Sequence, residues 1–396
     1  MSDVQAADWF NAAETRKVMA ALEAVRADCA RFVGGCIRNT LMDRPVDDID
    51  IATQLKPEET LKALKTAGIR AIPTGIEHGT ITAVCNHIPF EITSLRRDVE
   101  TDGRRAVVAF TEDWAEDAQR RDFRLNALYA DSKGQIHDPT GGLADIAERR
   151  IIFIGDAQTR LREDHLRNLR FFRFTAWYGK AIDPAGLAAC AALKDGLKQI
   201  AAERIWKEFA KLLAAPDPFD AVYAMAGAGV LDVILPQSEG VERLRCLRTI
   251  EWDSNLTADA MQRFMALLPR DRAVLSSVAA DLRMSRAERG RLVDFAKADL
   301  LPDLTDARAL KRWIYTVSPE VARDVLWWVM ADQDLDPLEL GPAIELVMNW
   351  TPPTFPVKGA DLVAQGTPPG PELGRKLRAL ETAWIENDFS LDGLNA

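Results

Sequence analysis

The chain is poor in the groups that many catalytic centres need. Its 396 residues contain only four histidines, His78, His87, His137 and His165, all of them before residue 166. Everything beyond that point therefore cannot hold a His-Asp metal phosphohydrolase centre or any chemistry built on an imidazole base. The five cysteines, Cys29, Cys36, Cys85, Cys190 and Cys246, are widely spaced with no C-x-x-C pair. That spacing argues against both a thiolate zinc site and a disulfide framework, and suits buried thiols in a reducing compartment. No apolar run approaches the roughly 18 residues of a membrane span. The opening MSDVQAADWFNAAETRKVMAAL carries acids where a signal peptide would have its apolar centre. The expectation is a cytoplasmic protein away from the membrane.

Positive charge is in deficit as well. Fifty Lys and Arg against 60 Asp and Glu leave a net charge of −10, so a nucleic-acid partner must be met by a local basic surface. One such stretch exists, because eleven Lys or Arg stand against six Asp or Glu between Arg160 and Lys211. With 47% hydrophobic and 28% charged residues, the composition is that of a globular protein with room for two or three domains.

Up to about residue 155 the pattern is α+β. Arg31–Val33, Ile49–Ile51, Ile81–Cys85, Pro89–Thr93 and Asn126–Tyr129 read as strands, and Asn86-His87 sits where a two-residue hairpin turn would join two of them. Helical spacing covers Asp8 to Arg26 and Pro57 to Thr66. After Ile154 the chain changes to Ala, Leu, Arg and Glu in helical rhythm, punctuated by Pro and Gly. Thr351–Pro356 and Gly366–Pro371 bracket the last loop region before a final helix.

Phe32-Val33-Gly34-Gly35-Cys36-Ile37-Arg38 is a strand running through Gly-Gly into a helix. Backbone amides there can approach a phosphate without Cβ interference, and Arg38 can add a charge-assisted contact; the plain alternative is a tight strand-helix corner. Asp48-Ile49-Asp50-Ile51 follows ten residues later. Residues two apart on a strand share a face, so Asp48 and Asp50 can converge on hard cations while the isoleucines face the core. Glu91, in another strand, is either a third carboxylate beside them or a surface residue. In the run Arg120-Arg121-Asp122-Phe123-Arg124-Leu125-Asn126, the paired arginines can contact triphosphate oxygens and Asp122 and Asn126 can bond ribose hydroxyls, unless this is only a basic corner.

The third cluster runs from Leu161 to Arg173. Leu166, Leu169, Phe172 and Ala176 form an inward stripe, and Asp164 and Arg167 lie one turn apart on another face. Such a pair is usually a weak surface ion pair. It could also read a base edge, because cytosine and adenine each offer an amino donor beside a ring-nitrogen acceptor, which a carboxylate and a guanidinium match. Arg167, Arg170 and Arg173 drift by roughly 60° per step, which would point Arg173 nearly opposite to Asp164.

Together these segments resemble the class II CCA tRNA nucleotidyltransferases of the polymerase-β-like nucleotidyltransferase superfamily, which includes bacterial poly(A) polymerases. The resemblance also draws on Glu91–Arg96, Asp102-Gly103-Arg104-Arg105, Asp138-Pro139 with Gly141-Gly142, and Gly359–Leu362 with Gly370–Arg375. It is strong over residues 30 to 175 and rests only on helical character from 216 to 350. It implies a nucleotidyltransferase head with a mixed β-sheet at 1–155, then an all-helical neck (156–215), body (216–300) and tail (301–396). It further implies a site in which Asp48, Asp50 and Glu91 are catalytic, the two aspartates holding Mg²⁺. Gly35, Arg38, Arg120, Arg121, Asp122, Asn126, Asp164, Arg167, Arg170 and Arg173 would bind nucleotide, with Asp164 and Arg167 as a protein template that reads CTP and then ATP. The partner would be the 3′ end and acceptor arm of tRNA, with no protein partner implied.

The segment from Arg97 to Arg105 would be the flexible loop needed for the switch to ATP. Two positions depart from the family pattern: Asn39 replaces an Asp, removing a possible ion pair, and Arg124 replaces a Thr, adding charge near the substrate. The alternatives are a poly(A) polymerase, a partial CC- or A-adding enzyme, or a non-catalytic tRNA-binding protein.

Overall fold

The computed structural model describes residues 3–102, 105–299 and 301–393. It divides into two compact units, Met1–Ile234 and Leu235–Ala396.

The first unit is built on a seven-stranded mixed sheet in the order β3-β4-β5-β2-β1-β8-β9. The strands are β1 (Ala30–Val33), β2 (Ile49–Thr53), β3 (Arg70–Gly75), β4 (Thr80–Cys85), β5 (Ile88–Ser94), β8 (Tyr129–Ala130) and β9 (Ile136–His137). All neighbours are antiparallel except β2 and β5, which run parallel with Asp50 opposite Glu91. Alternation explains the sheet's two faces. Ile81, Ala83 and Cys85 of β4 and Phe90 and Ile92 of β5 are buried, which turns Thr82 and Glu91 to the other side. Asn86 and His87 join β4 to β5 with φ of +48° and +69°, the doubly left-handed turn that matches the twist of a hairpin. A separate hairpin, β6 (Arg96–Asp102) with β7 (Arg105–Phe110), takes the place of the loop expected from Arg97 to Arg105. Gly103 and Arg104 of that motif lie outside the described residues.

Helices flank the sheet. The expected helix from Asp8 to Arg26 is broken into α1 (Asp8–Asn11) and α2 (Ala13–Glu23), because the Asn11 side-chain amide bonds back to the Gln5 and Ala7 carbonyls and competes with the helix. Next come α3 (Gly35–Leu41), α4 (Pro57–Thr66), α5 (Trp114–Gln119) and α6 (Gly142–Glu148). The strand expected at Asn126–Tyr129 begins only at Tyr129, since Arg124–Asn126 forms a tight 3-10 turn.

The basic stretch contains α7 (Ala157–Glu163) and α8 (Leu166–Tyr178), followed by α9 (Pro184–Ala192), α10 (Ala202–Leu213), α11 (Phe219–Gly227) and α12 (Val230–Ile234). On α8, Leu166, Leu169 and Phe172 are buried as the stripe requires. Phe171 and Phe174 are buried too, because Phe171 stacks on Phe153 at 5.5 Å and Phe174 meets Phe123 at 5.1 Å. Each of these rings joins the helix to the head's core.

The second unit is helical throughout its described residues, from Val241 to Glu386. Buried ion pairs cross its helices: Arg263 with Glu251, and Arg291 with Asp324. The bracketed region after Trp350 contains a further short helix, Gly359–Ala364, before the final helix Pro371–Glu386. Tyr315, Trp350, Phe355, Trp384 and Phe389 pack ring to ring around that last helix.

Candidate active site

All thirteen residues selected from the sequence line one cleft of about 860 Å³ within the first unit. The sheet order explains the acidic side of this cleft. Because β2 lies between β5 and β1, Asp50 stands beside Glu91 on one flank and the Gly34-Gly35 turn on the other. Thr82 pairs with Glu91, so Asp50, Glu91 and Thr82 form a cross-strand row. Asp48 immediately precedes β2 and is exposed to the cleft. Ile49 lines the cleft as well, and of the two isoleucines only Ile51 is fully buried.

Burial and the adjacent Glu91 push the Asp50 carboxyl up to about 6, with Asp48 adding to the effect and Arg121 and Arg38 opposing it. Three carboxylates along one side of the cleft present the oxygen donors a hard divalent cation takes. Among the described residues no three acidic, His or Cys side chains meet as a closed metal cage. The fit is thus to an open site, in which one or two carboxylates hold an ion whose other ligands are water and substrate phosphate, the usual arrangement for Mg²⁺.

Gly34 has φ of +73° and starts α3 directly from β1, a conformation that favours glycine. Arg38 follows on the first turn and is buried, its guanidinium bonded to Asn126 Oδ1 at 2.6 Å, Asn39 Oδ1 at 2.8 Å and the Tyr178 hydroxyl at 2.9 Å. Asn39 is thus a neutral acceptor where a carboxylate would have formed an ion pair. Burial lowers the affinity of the Arg38 guanidinium for its proton.

The other arginines that line the cleft are each held by an acid. Asp117, which the sequence reading overlooked, is 1% exposed and binds both Arg120 (2.7 Å) and Arg121 (3.0 Å). Its spacing of three and four residues from them was the available signal. Tyr129 also donates to Asp117, at 2.7 Å. Burial works against the Asp117 charge, but Arg121, Arg120 and that hydroxyl hold the carboxyl down at about 2. Asp122 is tied to Arg170 and accepts from Asn126 at 3.0 Å. Burial opposes its charge also, and Arg170 with Asn126 keeps it at about 2. The two residues read as ribose ligands therefore already join the neck helix to the head.

The pair expected to read the base is arranged differently from a helical i,i+3 pair. Asp164 has φ of −150° and ends α7; its Oδ1 accepts from the Leu166 amide at 3.0 Å and its carbonyl from the Arg167 amide. Arg167 pairs with Glu163 at 2.6 Å and donates to the Arg120 carbonyl at 3.0 Å, while Asp164 meets Arg204 at 3.3 Å. With the helix restarting after Asp164, the expected opposition of Arg173 disappears. Arg173 lines the same cleft, paired with Glu208 at 2.6 Å. Arg204 and Lys211 also line it and were not selected from the sequence, being about 40 residues away with no local motif. Arg124, expected to add charge near the substrate, turns away into a two-pronged bond with buried Asp145 at 2.7 Å.

Residues 30–152 match the family described as "Poly A polymerase head domain", and residues 181–240 match "Probable RNA and SrmB- binding site of polymerase A". A Danio rerio protein named "CCA tRNA nucleotidyltransferase 1, mitochondrial" is 32% identical over 378 residues, spanning 91% of this chain and 84% of the relative. The chain belongs to the CCA tRNA nucleotidyltransferase family. A Streptococcus pyogenes CCA-adding enzyme is 33% identical, covering 91% of this chain and 90% of its own length. The crystal structure of the Bacillus stearothermophilus CCA-adding enzyme in complex with CTP superposes with a TM-score of 0.77 at 27% identity, over 95% of this chain and 93% of that one. In this family member the mixed-sheet head and the predominantly helical remainder agree with the fold read from sequence. No helix among the described residues is long and apolar enough to cross a membrane.

Proposed function

We infer that this chain is a CCA-adding enzyme, transferring nucleotides from CTP and ATP to the 3′ end of tRNA and releasing pyrophosphate. The observation that carries the reading is one cleft that joins a row of carboxylates to a carboxylate-guanidinium pair able to match cytosine and adenine. Relatives named for CCA addition along nine-tenths of the chain support it.

In this reading Asp48 and Asp50 hold Mg²⁺, which when bound stabilises charge building on the reacting phosphate. Arg121, fixed by Asp117 and Tyr129, presents its guanidinium to the triphosphate without having to be ordered on binding. Arg38 and Gly35 complete that side, and Arg120, Arg170 and Arg173 raise the local positive potential. Asp122 and Asn126 fix Arg170 and Arg38 and line the sugar-sized space between. Asp164 and Arg167 face the base edge; a uracil or guanine would leave polar groups unpaired at roughly 1 to 3 kcal/mol each. Residues 1–155 act as the head, 156–215 as the neck, 216–300 as the body and 301–396 as the tail that binds tRNA. Five free, buried cysteines suit the reducing cytoplasm as the place of action.

The test is incubation of tRNA lacking its CCA end with CTP, ATP and Mg²⁺. Three added nucleotides in the order C, C, A are expected. Addition that stops after CC, or long tails from ATP on a generic RNA primer, would replace this reading with a partial enzyme or a poly(A) polymerase.

A further inference from the structure

A second cavity of about 480 Å³ adjoins the cleft. Gly35, Arg38, Asp48, Asp50, Arg173 and Lys211 line both spaces. Arg44, Asn39, Trp177 and Tyr178 line only the second, whereas Glu91, Asp164 and Arg167 line only the first. The catalytic carboxylates thus form a shared wall, with the base-reading pair and Glu91 on one side and a chamber holding Arg38, Arg44 and Lys211 on the other.

The chamber's charge is unusual for this molecule. Arg121, Arg167, Arg170 and Arg173 each have a carboxylate partner. Arg38 is 8% exposed, yet its partners Asn39, Asn126 and Tyr178 are all neutral, and no acid pairs with it among the described residues. Arg44 rests over the Tyr178 ring at 5.3 Å, and neither it nor Lys211 makes an ion pair among the described residues. The acids that border the chamber are Asp47, exposed, and the wall residues Asp48 and Asp50. The buried Arg38 guanidinium bonds only to neutral groups and feels Asp50 and Asp122 without touching either, so an anion entering the chamber would give it a charged partner in direct contact.

We propose that this chamber receives the pyrophosphate product and that Arg44, with Lys211, holds it as it leaves. The inference rests on the function proposed above. In the transfer, the RNA 3′ oxygen bonds to the α-phosphorus as the bond from that phosphorus to the α,β-bridging oxygen breaks. The electron pair departs with pyrophosphate, and the hydroxyl proton passes to water beside the carboxylates. Attacking and leaving oxygens lie on opposite sides of the phosphorus. Across the sheet, Glu91 on β5 and the glycine turn after β1 lie on opposite sides of Asp50. A strand end arriving on the Glu91 side therefore expels its leaving group toward Gly35 and Arg38, where the chamber opens.

The experiment is product inhibition by inorganic pyrophosphate, using the full-length enzyme adding CMP to tRNA that lacks CCA. In Arg44→Ala the pyrophosphate inhibition constant should rise by about tenfold, the scale of one lost charge-assisted contact, with the KM values for CTP and tRNA shifting less than about twofold. Arg44→Lys should recover most of the loss. Asn39→Asp, which gives Arg38 a carboxylate, should move the constant in the same direction as Arg44→Ala. Wild-type inhibition in both Arg44→Ala and Asn39→Asp would overturn the inference while leaving CMP addition intact. So would a CTP KM that rises in step with the pyrophosphate constant, or a rise in the tRNA KM alone, which would make the chamber a triphosphate or RNA subsite. A wild-type protein that adds no CMP would overturn the functional reading itself, and this inference with it.

Discussion

Replacing Asp50 with Asn should stabilise the metal-free protein while destroying its activity. Burial and Glu91 displace the Asp50 carboxyl from 3.8 to about 6 in the folded state. At about 1.4 kcal/mol per pK unit, holding that group ionised costs the fold about 3 kcal/mol above pH 7. The sign follows from proton linkage. Between about pH 4 and pH 6 the folded protein binds more protons at this site than the unfolded chain, so stability falls as pH rises through that window. Urea unfolding in EDTA at pH 4.5 and pH 8 measures it: Asp50→Asn should exceed wild type by only about 1 kcal/mol at the lower pH and by up to about 3 kcal/mol at the higher. Mg²⁺ at pH 8 should then stabilise wild type more than the variant, because a cation that binds the folded state favours it. If Asp50→Asn is less stable than wild type at pH 8, or its effect does not change with pH, the carboxylate row does not repel as described.

Asp164→Ala or Arg167→Ala should relax discrimination against UTP by about tenfold or more while leaving triphosphate affinity nearly unchanged, measured as relative kcat/KM for each nucleotide. Asp117→Asn should raise the KM for CTP and ATP together, because Arg120 and Arg121 lose their anchor. It should also destabilise the fold above about pH 4, and the difference from wild type should vanish as pH falls through about 2, where Asp117 is protonated in both states. In the second unit, Arg263→Ala should cost about 3 to 5 kcal/mol in denaturant unfolding, since it leaves Glu251 without its partner beside a site where Arg263 is 2% exposed.

Much of the head was legible because alternation is a local signal. Thr80–Cys85 and Ile88–Ser94 alternate cleanly, and Asn86-His87 marks their turn. Arg70–Gly75 carries Pro73 and no alternation, and it enters the sheet only at its edge, where a missing amide is tolerated. The break at Asp164 was hidden because apolar spacing runs on through it, with no Pro or Gly to mark it. What ends α7 is the extended backbone at Asp164, whose carboxylate accepts from the Leu166 amide. The site residues themselves could be chosen from chemistry and resemblance, but their partners could not. Arg170 with Asp122, Arg173 with Glu208 and Asp164 with Arg204 join residues 35 to 48 positions apart. Those pairings come from the packing of α8 and α10 beside the head, which no local pattern encodes.

The most direct test of the central claim is single-turnover CMP addition to tRNA lacking CCA, measured against Mg²⁺ concentration in wild type, Asp48→Asn and Asp50→Asn. The account predicts a Mg²⁺-dependent rate in wild type and a loss of about a thousandfold or more in each variant, the scale of losing one charged transition-state contact. A variant that adds CMP at the wild-type rate, or a wild type indifferent to EDTA, would contradict it.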